Sequence, residues 1–137
     1  MANIDNVEAL NQVAASLGKA TYTATTAPIQ GRLMTANGSG GSNGTEVTNS
    51  GGSTYASVDV GTAITSFAAL PITNSAAITW TNLPTATIVG LELWDSHATP
   101  KRKWYGALAA SKSVSLGDSL SIAASAFAVL PLTRADV

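Results

Sequence analysis

The chain lacks cysteine, has a single histidine and carries few charges for its length. The absence of cysteine excludes disulfides and thiolate metal ligands among its 137 residues. Lysine and arginine are absent between Arg32 and Lys101 and the net charge is −1, so the basic stripe that nucleic-acid binding needs is missing. We therefore expect a protein that is not an enzyme, needs no cofactor or metal and does not bind nucleic acid.

A second absence is the lack of any charge from residue 60 to residue 91, a run filled with Thr, Ser, Ala, Ile and Leu. Soluble domains normally keep charge on their surface, and a near-neutral protein associates easily because little repulsion opposes contact. With 45% apolar and 11% charged residues, the chain is long enough to bury its own core. The composition therefore predicts a structural protein that assembles with other copies or with a neighbouring protein.

Targeting and membrane signals are also missing. Residues 1–18 contain Asp5 and Glu8 but no basic start before an apolar run, so we expect no secretion signal and synthesis in the cytoplasm. No apolar stretch approaches the roughly 20 residues that span a bilayer, and we expect no membrane partner.

Residues 5–17 show the one clear helical pattern. An apolar stripe recurs at helical spacing, Asp5 can cap the start with Glu8 three residues later, and Gly18 can end the helix. Residues 1–18 are therefore predicted as a helical arm. Its stripe can dock on the chain's own sheet or on a partner, and Val7, Leu10 and Leu17 are its candidate partner contacts.

After the helix, short runs of Thr, Tyr, Val and Ile predict an all-β fold. We expect a single domain over residues 19–137, an antiparallel β-sandwich of jelly-roll-like or small-barrel form, with a flexible Gly/Ser/Asn loop at 37–52. The predicted strands are 20–26, 29–36, 53–60, 63–69, 76–81, 86–94, 102–109, 112–116, 119–124 and 126–132, with a small strand at 45–48.

Alternation is clearest in residues 86–94. Ile88, Gly90, Glu92 and Trp94 share one face of this predicted strand, and the almost wholly apolar set Thr87, Val89, Leu91 and Leu93 shares the other. The second set is therefore predicted to face the core.

Two constellations invite a functional interpretation. Asp95, Ser96 and His97 are consecutive, which rarely lets three side chains converge as a catalytic triad, so a polar turn is the better interpretation.

Lys101 to Lys103 precede Trp104 and Tyr105. Such a basic run is most often a solvated hairpin end. Because arginine and aromatic residues anchor interfaces, Arg102, Trp104 and Tyr105 are also candidate contacts for an acidic protein partner.

Several blocks in order resemble a family of small structural proteins of tailed actinobacteriophages, described as tail-fibre-like, minor tail or head decoration proteins. The blocks are residues 27–38, 43–47, 52–56, 90–95 (Gly-Leu-Glu-Leu-Trp-Asp), 104–108 (Trp-Tyr-Gly-Ala-Leu) and 117–123. The resemblance implies a β-sandwich virion component that acts as a homotrimer or another cyclic homo-oligomer.

The sequence after the helix predicts a β domain and shows no fibre-shaft pattern, and this favours a capsid decoration or minor capsid protein. It would lie on the capsid exterior and stabilise the head shell by binding the major capsid protein. The alternative is a tail-fibre or minor tail component, such as an adaptor that contacts tail or portal proteins. A third hypothesis is a carbohydrate-binding β-sandwich in which Trp80, Trp94 or Trp104 stacks on sugars.

Overall fold

The computed structural model describes residues 3–65 and 71–129, and this part of the chain forms the predicted all-β sandwich with one short helix. The order of elements follows the chain: β1 (Asn3–Ile4), α1 (Asn6–Ser16), β2 (Gln30–Ala36), β3 (Thr45–Glu46), β4 (Val58–Asp59), a 3-10 turn (Gly61–Ala63), β5 (Ile72–Thr73), β6 (Ile78–Trp80), β7 (Ala86–Trp94), β8 (Arg102–Val114), β9 (Leu120–Ile122) and β10 (Ala128–Val129).

The strands form one large antiparallel sheet and two small ones. The large sheet has six strands in the order β1-β8-β7-β2-β3, and β4 pairs with the first residues of β2. Strands β5 and β10 form one two-stranded sheet, and β6 and β9 form the other. The long central strands β7 and β8 run antiparallel from Ala86↔Val114 to Trp94↔Arg102.

The hydrophobic core lies between the large sheet and the two small sheets. Leu33, Leu91 and Leu93 enter it from the large sheet, and Trp80 enters it from β6. Trp80 is 1% exposed, and its indole N–H donates to the carbonyl of Gly31 at 2.9 Å. This bond joins the two layers because it satisfies a buried donor and a buried acceptor together.

The predicted core face of β7 is wrong in its first half. Ile88 is fully buried in the core and Thr87 is exposed, whereas Leu91 and Leu93 face the core as predicted. The cause is a register shift. Between Gly90↔Ala107 and Ile88↔Lys112, β7 advances two residues while β8 advances five. Such an irregularity re-aims the side chains on either side of it.

Other predicted strands also need correction. Residues 20–26 form no strand and are mostly exposed, because their Thr-rich sequence offers no apolar face to bury. In 53–60 only Val58–Asp59 is a strand, since Asn49 Oδ1 accepts from the backbone N–H of Tyr55 at 2.7 Å and shapes a loop there. The predicted strand 102–109 and residues 112–114 of the predicted strand 112–116 belong to the single strand β8.

Two predictions fall partly outside the described residues. The predicted strand 63–69 begins at the last residue of the 3-10 turn, and its residues 66–69 lie outside the described part of the chain. The predicted strand 126–132 contains β10, and its residues 130–132 lie outside the described part.

Candidate functional site: the N-terminal segment and its buried charges

The N-terminal segment (β1 and α1) lies at the end of the large sheet. Strand β1 pairs with β8 through Asn3↔Tyr105 and Ile4↔Trp104. The helix then begins where the sequence predicts, because the carboxylate of Asp5 accepts from the backbone N–H of Val7 at 2.9 Å. The segment is thus fixed to β8 at the point where Arg102 and Lys103 enter the sheet.

Arg102 is the centre of a buried ion-pair network. Its guanidinium donates to Asp5 Oδ2 at 3.0 and 2.7 Å, and to Glu92 Oε1 at 2.8 Å. The side chains of Arg102 and Glu92 are each 2% exposed. An arginine fork can satisfy two carboxylates at once, and buried charges persist only with such partners.

The glycine-rich loop completes this network. Arg102 also donates to the carbonyls of Ser42, at 2.7 Å, and Ser39, while the backbone N–H of Gly44 donates to Glu92 Oε1 at 2.7 Å. Gly38 lies so close that a Cβ there would meet Arg102 Nη1 and Glu92 Oε1, each at 2.5 Å. Gly38 is therefore required by the close approach of the loop backbone to the buried charges.

Lys103 forms a second buried pair on the other face of β8. Its ammonium lies 2.8 Å from Glu8 Oε2 and 3.5 Å from Asp95 Oδ2, and the Tyr22 hydroxyl donates to Glu8 at 2.7 Å. Burial alone would raise the pKa of Glu8, but hydrogen bonds from Lys103, Tyr22 and Gln12 outweigh it and hold the pKa below its ordinary value. Burial would lower the pKa of Lys103, but the hydrogen bond and charge of Glu8 raise it.

These contacts orient the helix with its polar face inward. Glu8 is 3% exposed, whereas Val7, Leu10 and Leu17 are 59%, 69% and 68% exposed. Val13, on the same stripe, is 44% exposed. Among the described residues only Tyr22 and Leu116 are further large apolar side chains with comparable exposure. The predicted apolar stripe therefore forms a surface, and its own sheet does not cover it.

The structure separates the candidate partner contacts into two groups. Val7, Leu10 and Leu17 lie together on this outward stripe. Arg102 is 5% exposed, and its charge is already matched within the chain. Trp104 is partly buried against the core, and Tyr105 is partly buried with its ring centroid 4.6 Å from the Arg102 guanidinium carbon. The second group thus has a structural role that the basic run did not reveal.

The sequence analysis did not recognise that four carboxylates pair with Arg102 and Lys103: Asp5, Glu8, Glu92 and Asp95. Their partners Arg102 and Lys103 are up to 97 positions away in sequence. One usable signal was the alternation in β7, where Glu92 lies on the face opposite Leu91 and Leu93, because a charged residue in a central strand needs a buried partner.

The remaining motifs show no convergence of chemical groups. Asp95 accepts from the backbone N–H of Lys101 at 2.7 Å, and Ser96 Oγ donates to the Pro28 carbonyl at 2.6 Å. His97 is exposed, as in a polar turn. Within residues 3–65 and 71–129, no three side chains of the metal-ligating types are clustered. No helix in that part of the chain is long and apolar enough to cross a membrane. Of the three tryptophans, Trp80 is core, and Trp94 and Trp104 are partly buried.

The comparison with family models identifies what kind of protein carries this arrangement. Residues 5–129 match the model of the family described as Podophage GP4 fiber I protein gp80. The chain belongs to this family. The match runs from the N-cap of α1 to the end of β10, so it includes α1, the buried charges and strands β2 to β10. No curated protein and no solved structure gives a significant match.

Membership makes the chain a phage structural protein of a fibre-like family and therefore a virion component. It supports the tail-fibre alternative better than the capsid decoration role that the sequence favoured. The match does not extend to an actinobacterial host or to a head location, so those parts of the resemblance gain no support from it.

Proposed function

We propose that the protein is a non-enzymatic fibre or minor tail component of a podophage virion, acting as a compact adaptor between other virion proteins. The family match over residues 5–129 carries this proposal, because it covers nearly all of the described chain and its printed name is that of a podophage fibre protein.

The buried ion pairs hold the N-terminal segment rigidly, and this supports a role in assembly. Arg102 and Lys103 of β8 form ion pairs of 2.7 to 3.5 Å with the N-cap and first turn of α1, with β7 and with the residue after β7. Arg102 also binds the glycine-rich loop through hydrogen bonds to two of its carbonyls. Four carboxylates around two buried cations fix the N-terminal segment in one orientation. A preorganised attachment surface loses less conformational entropy when it binds, which favours assembly.

The exposed apolar surface and the low net charge also support a role in assembly. The apolar stripe of α1 projects from the body, and the chain has a net charge of only −1 to oppose association. Exposed contiguous apolar surface commonly marks a protein interaction site. We propose that tail or portal proteins and further copies of the chain are the partners, and that the protein forms a cyclic homo-oligomer at the tail.

Cryo-electron microscopy of purified virions, with antibody labelling of this chain, tests the location. The proposal predicts density for the sandwich at the tail, as part of a fibre or at its attachment point. Labelling spread over the symmetric junctions of the head would overturn it and restore the decoration role.

A further inference from the structure

We infer that the outward stripe of α1 is a seam between copies of this chain, in which the same helix of neighbouring copies packs in parallel around a common axis. This inference deepens the proposed function by naming the occupant of the stripe, and it rests on the chain being a virion assembly component.

The first step is that α1 turns its apolar face to solvent, which is unusual for a monomer. Surface helices normally turn their apolar stripe to the core and their charges to water. Here Glu8 is 3% exposed and paired with Lys103, while Leu10 is 69% exposed. Because the ion pair and the Asp5 cap fix this orientation, the stripe stays exposed until a partner covers it.

The second step is the spacing of the stripe. Val7, Leu10, Ala14 and Leu17 are separated by three, four and three positions. This is the a/d pattern of a helix that packs on a copy of itself, with the β-branched residue at a and leucine at d. The pattern covers fewer than two heptads and is too short to form a coiled-coil shaft. Attached to a folded sandwich, it can still act as a preformed seam.

The third step is the charge on and around the stripe. Within α1 the flanking positions Asn6 and Asn11 are uncharged, and Glu8, the only charged residue of the helix, is paired with the buried Lys103. The exposed charges nearest the stripe are Lys19, just beyond Leu17, and Lys101, which lines a groove with Val7 and Asn11. The side chains of the stripe itself are apolar and identical in every copy, and a closed ring requires self-complementary or repeating contacts of this kind.

The fourth step concerns the strength of the contact. The exposed parts of the side chains of Val7, Leu10, Val13 and Leu17 amount to roughly 300 to 400 Å² per copy, against about 800 Å² per partner in a standard stable interface. We therefore expect weak self-association, with a Kd on the order of tens of micromolar for the isolated protein. Several copies held on one virion would strengthen it through high effective concentration.

Sedimentation equilibrium of the full chain from about 1 to 300 µM is the test, since this range brackets the expected Kd. The wild type should shift from the 13.8 kDa monomer to a closed oligomer. Leu10→Glu should raise the Kd by at least tenfold, because it places a charge in the seam. The matched control, Leu116→Glu, changes another exposed leucine (50% exposed) and should leave the Kd unchanged. Circular dichroism of both variants checks that each remains folded.

Cysteine cross-linking supplies an independent readout, because the natural chain has no cysteine. In a parallel seam, Leu10→Cys and Leu17→Cys should each form interchain disulfides under mild oxidation, and Leu116→Cys should not. A wild type that stays monomeric at the highest concentration, with no cross-link at position 10 or 17, would overturn the inference. So would equal effects of Leu10→Glu and Leu116→Glu.

These outcomes are separate from those of the proposed function. A chain found on the head that still oligomerises through α1 would refute the fibre assignment and leave the seam intact. A chain found at the tail that is monomeric, and whose Leu10→Glu variant is lost from virions, would refute the seam. In that case the stripe would bind a different virion protein.

Discussion

Replacing Arg102 by methionine should destabilise the fold more than any other single change to a charged residue of the network. Methionine keeps much of the side-chain volume but removes every donor. Asp5 and Glu92, with side chains 12% and 2% exposed, would lose their cation, and the carbonyls of Ser39 and Ser42 would lose a donor. Removing one partner of a buried ion pair typically costs about 3–5 kcal/mol.

That magnitude is consistent with the contacts that remain. The N–H of Val7 still donates to Asp5, and the N–H of Gly44 still donates to Glu92. These bonds keep the loss below the sum of all the broken contacts, each of which alone costs about 1–3 kcal/mol when a buried group is left unpaired. For a domain of this size, the melting temperature should fall by roughly 10–15 °C.

Urea unfolding followed by circular dichroism measures the effect, with Arg32→Met as the matched control. Arg32 is also an arginine on a strand of the large sheet and pairs with Glu46 at 3.3 Å, but the two side chains are 27% and 35% exposed. Its removal should cost about 1 kcal/mol or less. If Arg102→Met unfolds completely, Arg102→Lys should give an intermediate loss, since lysine keeps the charge without the fork. Equal stability losses for Arg102→Met and Arg32→Met would refute the reasoning.

Three further predictions concern the same framework. The pKa of Glu8 is lowered in the folded state, so the ionised carboxylate stabilises the fold above its ordinary pKa of 4.5, and this stabilisation is lost as the pH falls through the lower folded pKa. Glu8→Gln should therefore lose less unfolding free energy than the wild type between neutral and acid pH, as measured by parallel urea titrations. An equal loss in the two proteins would contradict this. Gly38→Ala should lower the melting temperature because its Cβ would meet Arg102 and Glu92, whereas Gly41→Ala, with nothing within 4 Å, should have little effect in the same calorimetric scan. Trp80→Phe should cost about 1–3 kcal/mol, since it removes the indole donor of the buried Gly31 carbonyl; a chemical denaturation midpoint equal to that of Trp104→Phe, whose indole N–H has no hydrogen-bond partner among the described residues, would count against the bond's importance.

Local signals in the sequence predict several elements well. The helix was expected at 5–17 and runs over Asn6–Ser16 with Asp5 as its N-cap. The strand Ala86–Trp94 has the predicted bounds. In both cases the pattern is carried by neighbouring residues, through capping and alternation, so that no distant part of the chain is needed to recognise it.

Features that depend on distant contacts could not be predicted in the same way. The register shift against β8 reverses the core face of β7 near Ile88, and nothing within residues 86–94 indicates it. The stripe of α1 was recognised, but whether it faces the sheet or solvent depends on Glu8 meeting Lys103, 95 positions away. Arg102 was interpreted as a surface contact for the same reason: its two carboxylate partners come from other parts of the chain.

The predicted head location rested on the absence of a fibre shaft, which is a weak argument because a fibre can be built from several different proteins. Family membership over residues 5–129 outweighs it and places the chain among fibre-like structural proteins. The resemblance in short ordered blocks was thus informative about the class of protein and less informative about its position on the particle.

The copy number of the chain per virion tests the central claim most directly. Quantitative mass spectrometry of purified virions gives its molar ratio to the major capsid protein. A fibre or minor tail component should be present in a few to about tens of copies, in a ratio set by the symmetry of the tail. A count on the order of hundreds, in a fixed stoichiometry with the major capsid protein, would contradict the account and identify a protein that covers the head shell.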